Sequence, residues 1–193
     1  MAGGRRRWDA ATIDRILVPG ILAGMTAAIP MGLFAMIAAA TYQHRGFYTP
    51  LYQIASLLGD DTLGASVRQA ARGEPFYFVP EPVVFGASTH LMVGAFFGAV
   101  FAVVTKPARS RSISVLTGIV YGLVVMLAMG LVVVPAADAL LGRAERLQDL
   151  PSMAGWWTFT FQHVIYGLVL GWWPWLRRPE VRERPSPSAR GQR

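Results

Sequence analysis

Four long hydrophobic segments are the feature that most constrains how this chain folds. They cover about residues 16–41, 83–104, 113–134 and 153–176, and none contains Asp, Glu, Lys or Arg. A helix needs about 20 residues to cross the roughly 30 Å hydrocarbon core of a bilayer. A charge near the bilayer centre costs at least ~2.5 kcal/mol. The pattern therefore predicts an all-α membrane protein with four transmembrane helices, and the first segment is too long for a signal peptide.

Composition supports a membrane protein and excludes several kinds of chemistry. Hydrophobic residues make up 53% of the 193 residues and charged residues only 15%, which is too apolar for an ordinary soluble domain. There is no cysteine, so disulfides, thiolate metal sites and thiol catalysis are excluded. The net charge is +7, but the basic residues flank the apolar segments, so we expect a lipid bilayer as the partner and no nucleic acid.

The distribution of basic residues predicts the orientation of a four-helix membrane domain over residues 16–178. The N-terminus (1–15), the link around residues 105–112 and the end of the chain from residue 177 hold 13 of the 18 Lys and Arg residues. Because basic segments stay in the cytoplasm, both termini are predicted to be cytoplasmic. The chain has the general appearance of small four-helix membrane proteins of bacteria, so we expect the inner (plasma) membrane. The tail 179–193, rich in Pro, Arg and Ser, is predicted to be disordered.

The first outer loop, about residues 42–82, is too long for a simple connection. Thr49-Pro50 is a good helix start and Gly59 a good helix end. One face of this short helix would carry Leu51, Ile54, Ala55 and Leu58. A second short helix is expected over residues 62–72, ending at Gly73. Both are interpreted as interfacial helices at the membrane surface.

An internal duplication is indicated by the spacing of glycines. The first segment carries Gly20, Ile21, Gly24, Met31, Gly32 and Leu33, and the third repeats them at identical spacing as Gly118, Ile119, Gly122, Met129, Gly130 and Leu131. The second carries His90, Gly94 and Gly98, and the fourth His163, Gly167 and Gly171. The outer loops share Leu57-Leu58-Gly59 and Leu140-Leu141-Gly142. The fold class predicted is therefore a bundle of two tandem helical hairpins with the same orientation. Coincidence is the alternative, because glycine is frequent in membrane helices.

Small residues four positions apart predict close helix packing. In lipid, helices associate through van der Waals contact, and glycines let two backbones approach. The GxxxG-type positions assigned to helix packing are Gly20, Gly24, Gly32, Gly98, Gly118, Gly122, Gly130 and Gly171.

Two histidines within the predicted spans are the candidate site. His90 and His163 lie at similar depth in the outer half of their helices, and ionisable groups inside a membrane are usually functional. One hypothesis is a haem b with both imidazoles as axial ligands, where Gly94 and Gly167 leave room for the macrocycle. A second is a copper or zinc site to which the loop residue His44 adds a third imidazole.

The third interpretation of the histidines is structural. Each imidazole would hydrogen-bond a neighbouring helix and contribute ~0.6–2 kcal/mol. The side-chain partners expected for this role are Ser88, Thr89, Thr158, Thr160 and Gln162.

No sequence motif in the chain indicates a particular enzymatic reaction. There is no dinucleotide fingerprint, phosphate-binding loop, HExxH or GxSxG sequence. We therefore expect a non-enzymatic membrane module (an anchor, assembly factor or small subunit) that packs against other membrane helices or forms a homo-oligomer. The alternatives are a bis-histidine haem electron-transfer protein and a small transporter or channel.

Overall fold

In this computed structural model the described part of the chain, residues 10–56, 62–105, 110–141 and 154–176, is helical without strands. The helices are α1 (Ala10–Ala40), α2 (Thr49–Ala55), α3 (Thr62–Ala71), α4 (Pro80–Val104), α5 (Arg111–Ala128), α6 (Val134–Leu141) and α7 (Trp156–Leu176). A π-helical segment, Met129–Val133, joins α5 to α6. The tail 179–193, both copies of the Leu-Leu-Gly loop repeat and most of the basic link lie wholly or partly outside the described residues.

Three described helices are long and apolar enough to cross a membrane: Arg15–Ala40, Pro80–Val104 and Arg111–Ala136. They correspond to the first three predicted segments. The fourth prediction, about 153–176, coincides with α7, but this helix is not among the three. Its tryptophans, together with Gln162 and His163, lower its mean hydropathy although it carries no charge.

Glycines bring the backbones of α1 and α4 into direct contact. A Cβ added to Gly20 would lie 2.8 Å from the carbonyl oxygen of Gly98, and one added to Gly98 would lie 2.5 Å from the Cα of Gly24. A Cβ on Gly94 would lie 2.7 Å from the Cβ of Ala28. Real Cβ atoms essentially never come this close, so side chains larger than hydrogen are excluded here. The paired positions run in opposite directions along the two helices, which are therefore antiparallel.

The α5/α7 pair is built in the same way. A Cβ on Gly118 would collide with the carbonyl oxygen of Gly167 and lie 2.7 Å from the backbone nitrogen of Gly171. A Cβ on Gly171 would lie 2.5 Å from the carbonyl oxygen of Ser114. The Ser114 hydroxyl donates a 2.7 Å hydrogen bond to the Gly171 carbonyl. Ser114 is therefore small enough to let α5 and α7 approach, and its hydroxyl hydrogen-bonds the two helices together. The two pairs meet where α1 packs against α7.

The two pairs are not in the same register. Gly20 faces Gly98 in the first pair, whereas its counterpart Gly118 faces Gly167, the counterpart of Gly94. The second pair is therefore displaced by four residues, about one helical turn.

The cause of the displacement lies in the positions of the small residues. On α1 they recur every fourth position from Gly20 to Gly32, but on α5 they recur from Ser114 to Gly122. The α1 counterpart of Ser114 is Ile16, and the α5 counterpart of Ala28 is Met126. Because a large side chain cannot enter a glycine contact, each pair aligns on its own run of small residues.

The first loop helix, α2, packs into the protein and presents no free apolar face of the kind expected for an interfacial helix. Five of its seven residues are buried, Tyr52 completely, and α2 packs against α4, α3 and α1. Gly86 on α4 makes this possible, since a Cβ there would collide with the Leu51 carbonyl oxygen. The counterpart of Gly86 on α7 is Phe159, so only one of the two pairs can accept such a helix. The second loop helix, α3, ends close to its predicted end at Gly73, whose φ is +89°.

Candidate functional site

A cavity of about 170 Å³ lies between the two helix pairs. Residues from α1, α4, α7, the C-terminal part of α5 and the π-helical segment line it, and α2 forms part of its wall. Most of this wall is apolar, with Met31, Ala35, Val125, Met129 and Phe159 among its members. His90 and His163 both line the cavity, so the structure brings the two sequence-predicted histidines to one place.

His90 projects from the middle of α4 towards α1. It lies ten residues after Pro80, the first residue of α4, or roughly 15 Å along the helix. Its Nε2–H donates a 2.9 Å hydrogen bond to the carbonyl oxygen of Ala28. The imidazole occupies the space left by Gly32, where a Cβ would lie 3.1 Å from Nε2. Gly32 therefore accommodates the imidazole, whereas the other α1 glycines accommodate backbone.

His163 has a different partner although its sequence context repeats. It is 2% exposed, and its Nδ1–H donates a 2.7 Å hydrogen bond to the carbonyl oxygen of Phe159 on its own helix. The Phe159 ring packs edge-on against the imidazole at 4.5 Å between centroids. The displaced register accounts for the difference. In the first pair, Gly32 on α1 lies across from His90. In the second pair, the α5 position across from His163 is Met126, which leaves no such space.

The predicted side-chain partners of the histidines are wrong, because both imidazoles bond to backbone carbonyls. Thr158 is instead part of a polar cluster that joins the end of α1 to the start of α7. Its hydroxyl shares a 2.6 Å hydrogen bond with the Tyr42 hydroxyl and accepts a 3.1 Å bond from Gln43 Nε2. Gln43 Nε2 also donates to the Ala154 carbonyl at 2.6 Å.

Gln162 is a cavity residue that sequence reasoning treated only as a partner of histidine. It is 8% exposed, lines the cavity and has no hydrogen-bond partner among the described residues. An amide inside an otherwise largely apolar, uncharged segment was the signal that could have identified it. The α2 residues Thr49 and Gln53 also line the cavity, and no local pattern indicated this.

Two tyrosines tie α4 to the second helix pair beside the cavity. The Tyr166 hydroxyl, on α7, donates a 2.7 Å hydrogen bond to the Gly94 carbonyl oxygen. The Tyr121 hydroxyl, on α5, donates a 2.7 Å bond to the Phe97 carbonyl oxygen. Both bonds hold α4 beside α5 and α7, so the position of His90 depends on the second pair.

The residues around the cavity do not fit a haem. Gly94 and Gly167 leave no space for a macrocycle, because the backbones of α1 and α5 fill the space beside them. The cavity is also smaller than the roughly 300–1,000 Å³ of typical cofactor and ligand pockets. The third imidazole of the metal hypothesis, His44, is exposed and does not line the cavity. Within residues 10–56, 62–105, 110–141 and 154–176, no group of three or more His, Asp or Glu side chains is placed to hold a metal ion.

Comparisons of the chain with protein-family models, with curated proteins and with solved structures found no match.

Proposed function

We propose that α7 is a fourth membrane span. Its start is held beside the end of α1 by the bonds from Gln43. Near its other end, Trp172 lies under the guanidinium of Arg111, the first residue of α5, at 3.6 Å. Because α1 crosses between these two levels, α7 covers the same distance in the opposite direction. Its outer face exposes large apolar side chains, which suits contact with lipid: Trp157, Phe161, Leu168 and Trp172.

The four spans then form two hairpins of the same orientation, α1 with α4 and α5 with α7. The repeated glycines and histidines support a duplication, and the displaced register explains why the two copies differ. Each hairpin returns the chain to its starting side, and the basic flanks support a cytoplasmic location for that side. In a bacterial cell this corresponds to the inner membrane with both termini inside.

We propose that the protein is a non-enzymatic membrane module that packs against a neighbouring transmembrane helix. One observation carries this proposal: α5 makes its extensive contact with α7, touches α4 through Tyr121, and leaves a wide apolar face. Leu116, Val120, Val124 and Leu127 are each at least half exposed along this face. The glycine contacts are already used inside the chain, so the partner helix would meet these larger side chains.

Purification in a mild detergent followed by native mass spectrometry tests whether the protein associates with another transmembrane helix. The expected mass is that of the chain with a partner subunit or a second copy, and Leu116→Ala with Val120→Ala should weaken the complex. The matched control is Ile29→Ala with Leu33→Ala, which removes similar volume from the exposed face of α1. A chain that stays monomeric in nanodiscs and without a partner under these conditions would contradict the module.

A second candidate function is a small transporter. The observation that favours it is a cavity between two pseudo-symmetric helix pairs, with a π-helical segment in its wall. Segments of this kind often occur at functional sites. Solute flux into proteoliposomes would support transport, and it should fall in a variant that fills the cavity, such as Ala35→Phe.

A further inference from the structure

Two imidazoles line the cavity, His163 buried and His90 partly buried, and the partner of each fixes which nitrogen carries the hydrogen. A backbone carbonyl can only accept a hydrogen bond, so the nitrogen that faces it must carry the hydrogen. His90 is therefore protonated on Nε2 and His163 on Nδ1. No described Asp or Glu lines the cavity, so nothing offsets a positive charge, and a membrane interior favours neutral side chains.

Each neutral imidazole consequently keeps one unshared lone pair, on Nδ1 of His90 and on Nε2 of His163. Neither nitrogen has a hydrogen-bond partner among the described residues. The Gln162 amide, more than nine-tenths buried, also has none there. All three side chains line the cavity, where an ordered water or another bound molecule can satisfy such groups. A ligand that completes the two imidazole nitrogens must donate hydrogen bonds, whereas the Gln162 amide can either donate or accept.

The shape and lining of the cavity restrict the ligand further. A dry cavity of about 150 Å³ is known to hold one benzene ring, and this cavity of about 170 Å³ is of that size. Its thioether, aliphatic and aromatic walls suit an apolar ring: Met31, Ala35, Val125, Met129 and Phe159. A single ring with hydroxyl donors meets both requirements, and two hydroxyls match the two imidazole acceptors in number.

We propose that the cavity binds the ring of a lipid-soluble hydroquinone, with His163 and His90 accepting its hydroxyl hydrogens. This goes beyond the module role and does not depend on it, because the site is formed within one chain. The oxidised quinone is discriminated against, since its carbonyl oxygens are acceptors and would face lone pairs. The proposal concerns binding, and no oxidation or reduction is assigned to the protein.

Binding to the full chain in detergent micelles tests the proposal. The probes are a decyl-substituted benzohydroquinone, kept reduced without oxygen, and the corresponding decyl benzoquinone. Equilibrium dialysis and the shift of the thermal unfolding midpoint measure binding. We expect the hydroquinone to bind at least about tenfold more tightly than the quinone, as for loss of a buried hydrogen bond. Binding of hydroquinone with and without the decyl tail is compared. This comparison shows whether the ligand is a free phenolic molecule or one dissolved in the membrane.

Three variants locate the site. His163→Leu removes one acceptor and should weaken hydroquinone binding about tenfold. Ala35→Phe should abolish it by filling the cavity while both histidines remain. His44→Leu makes the same substitution at the exposed histidine and should leave binding unchanged.

Several outcomes would overturn the proposal. These are equal binding of the two redox forms, tighter binding of benzoate (an anion that would pair with Arg45 in the cavity wall), or stabilisation by Cu⁺ or Zn²⁺ but not by hydroquinone. Absence of binding by any probe, or an equal loss in His44→Leu, would do the same.

Discussion

Replacement of Gly24 by alanine is the sharpest test of the glycine contacts. A Cβ at this position would collide with the Gly94 carbonyl oxygen and lie 2.8 Å from the Cα of Gly98. Ordinary van der Waals contact begins at 3.4 Å, so α1 and α4 must separate by at least about 0.6 Å at this layer. Overpacking of this kind costs about 1–3 kcal/mol. The higher helix propensity of alanine offsets up to ~1 kcal/mol, so a net loss of up to about 2 kcal/mol is expected.

Gly32→Ala is the matched control, because it makes the same change two turns further along α1. Its Cβ would meet the His90 imidazole at 3.1 Å, and a side chain can move aside where backbone cannot. Reversible unfolding in mixed detergent micelles would measure both free energies of unfolding. Gly24→Ala should be the less stable variant by about 1 kcal/mol or more. Equal stability, or a more stable Gly24→Ala protein, would refute the account of backbone contact between α1 and α4.

Three further changes test the contacts around the cavity. Tyr166→Phe removes the bond to the Gly94 carbonyl and should cost about 0.5–2 kcal/mol, measured as a lower midpoint of thermal unfolding in detergent. Tyr52→Phe removes hydrogen bonds that the hydroxyl makes to the Tyr77 carbonyl and the Val79 N–H, so hydrogen exchange in α2 should become faster while that of α5 is unchanged. Gln43→Ala removes two bonds to the start of α7, and protease cleavage after residue 41 should accelerate without a change in α4.

Hydropathy predicted the long helices because an uncharged apolar run has few alternatives to a membrane helix. The same uncharged run predicted α7, but its tryptophans and central Gln162-His163 pair lower its mean hydropathy, although its outer face remains apolar. The register of the two pairs can be read from the sequence afterwards. It depends on where the runs of small residues end. Ile16 limits the run on α1 and Met126 limits the run on α5. The equal spacing of the repeated glycines does not reveal these limits.

The site was only partly predictable. Equal spacing placed His90 and His163 at similar depth, and the structure brings both to one cavity. Their different hydrogen bonds depend on Gly32 and Met126, which lie on other helices. The burial of α2 was out of reach, because a seven-residue helix carries little pattern and its docking depends on Gly86, 30 or more residues further along the chain.

The location of the two ends of the chain tests the four-span architecture most directly. The protein has no cysteine, so single cysteines introduced as Ala2→Cys and Ser188→Cys can be labelled without background. A membrane-impermeant maleimide is applied to intact spheroplasts and to permeabilised ones, with Arg72→Cys in the outer loop as the accessible reference. If the chain crosses the membrane four times, Arg72→Cys reacts in intact spheroplasts and both end positions react only after permeabilisation. Labelling of Ser188→Cys in intact spheroplasts while Ala2→Cys stays protected would show three spans and contradict the account.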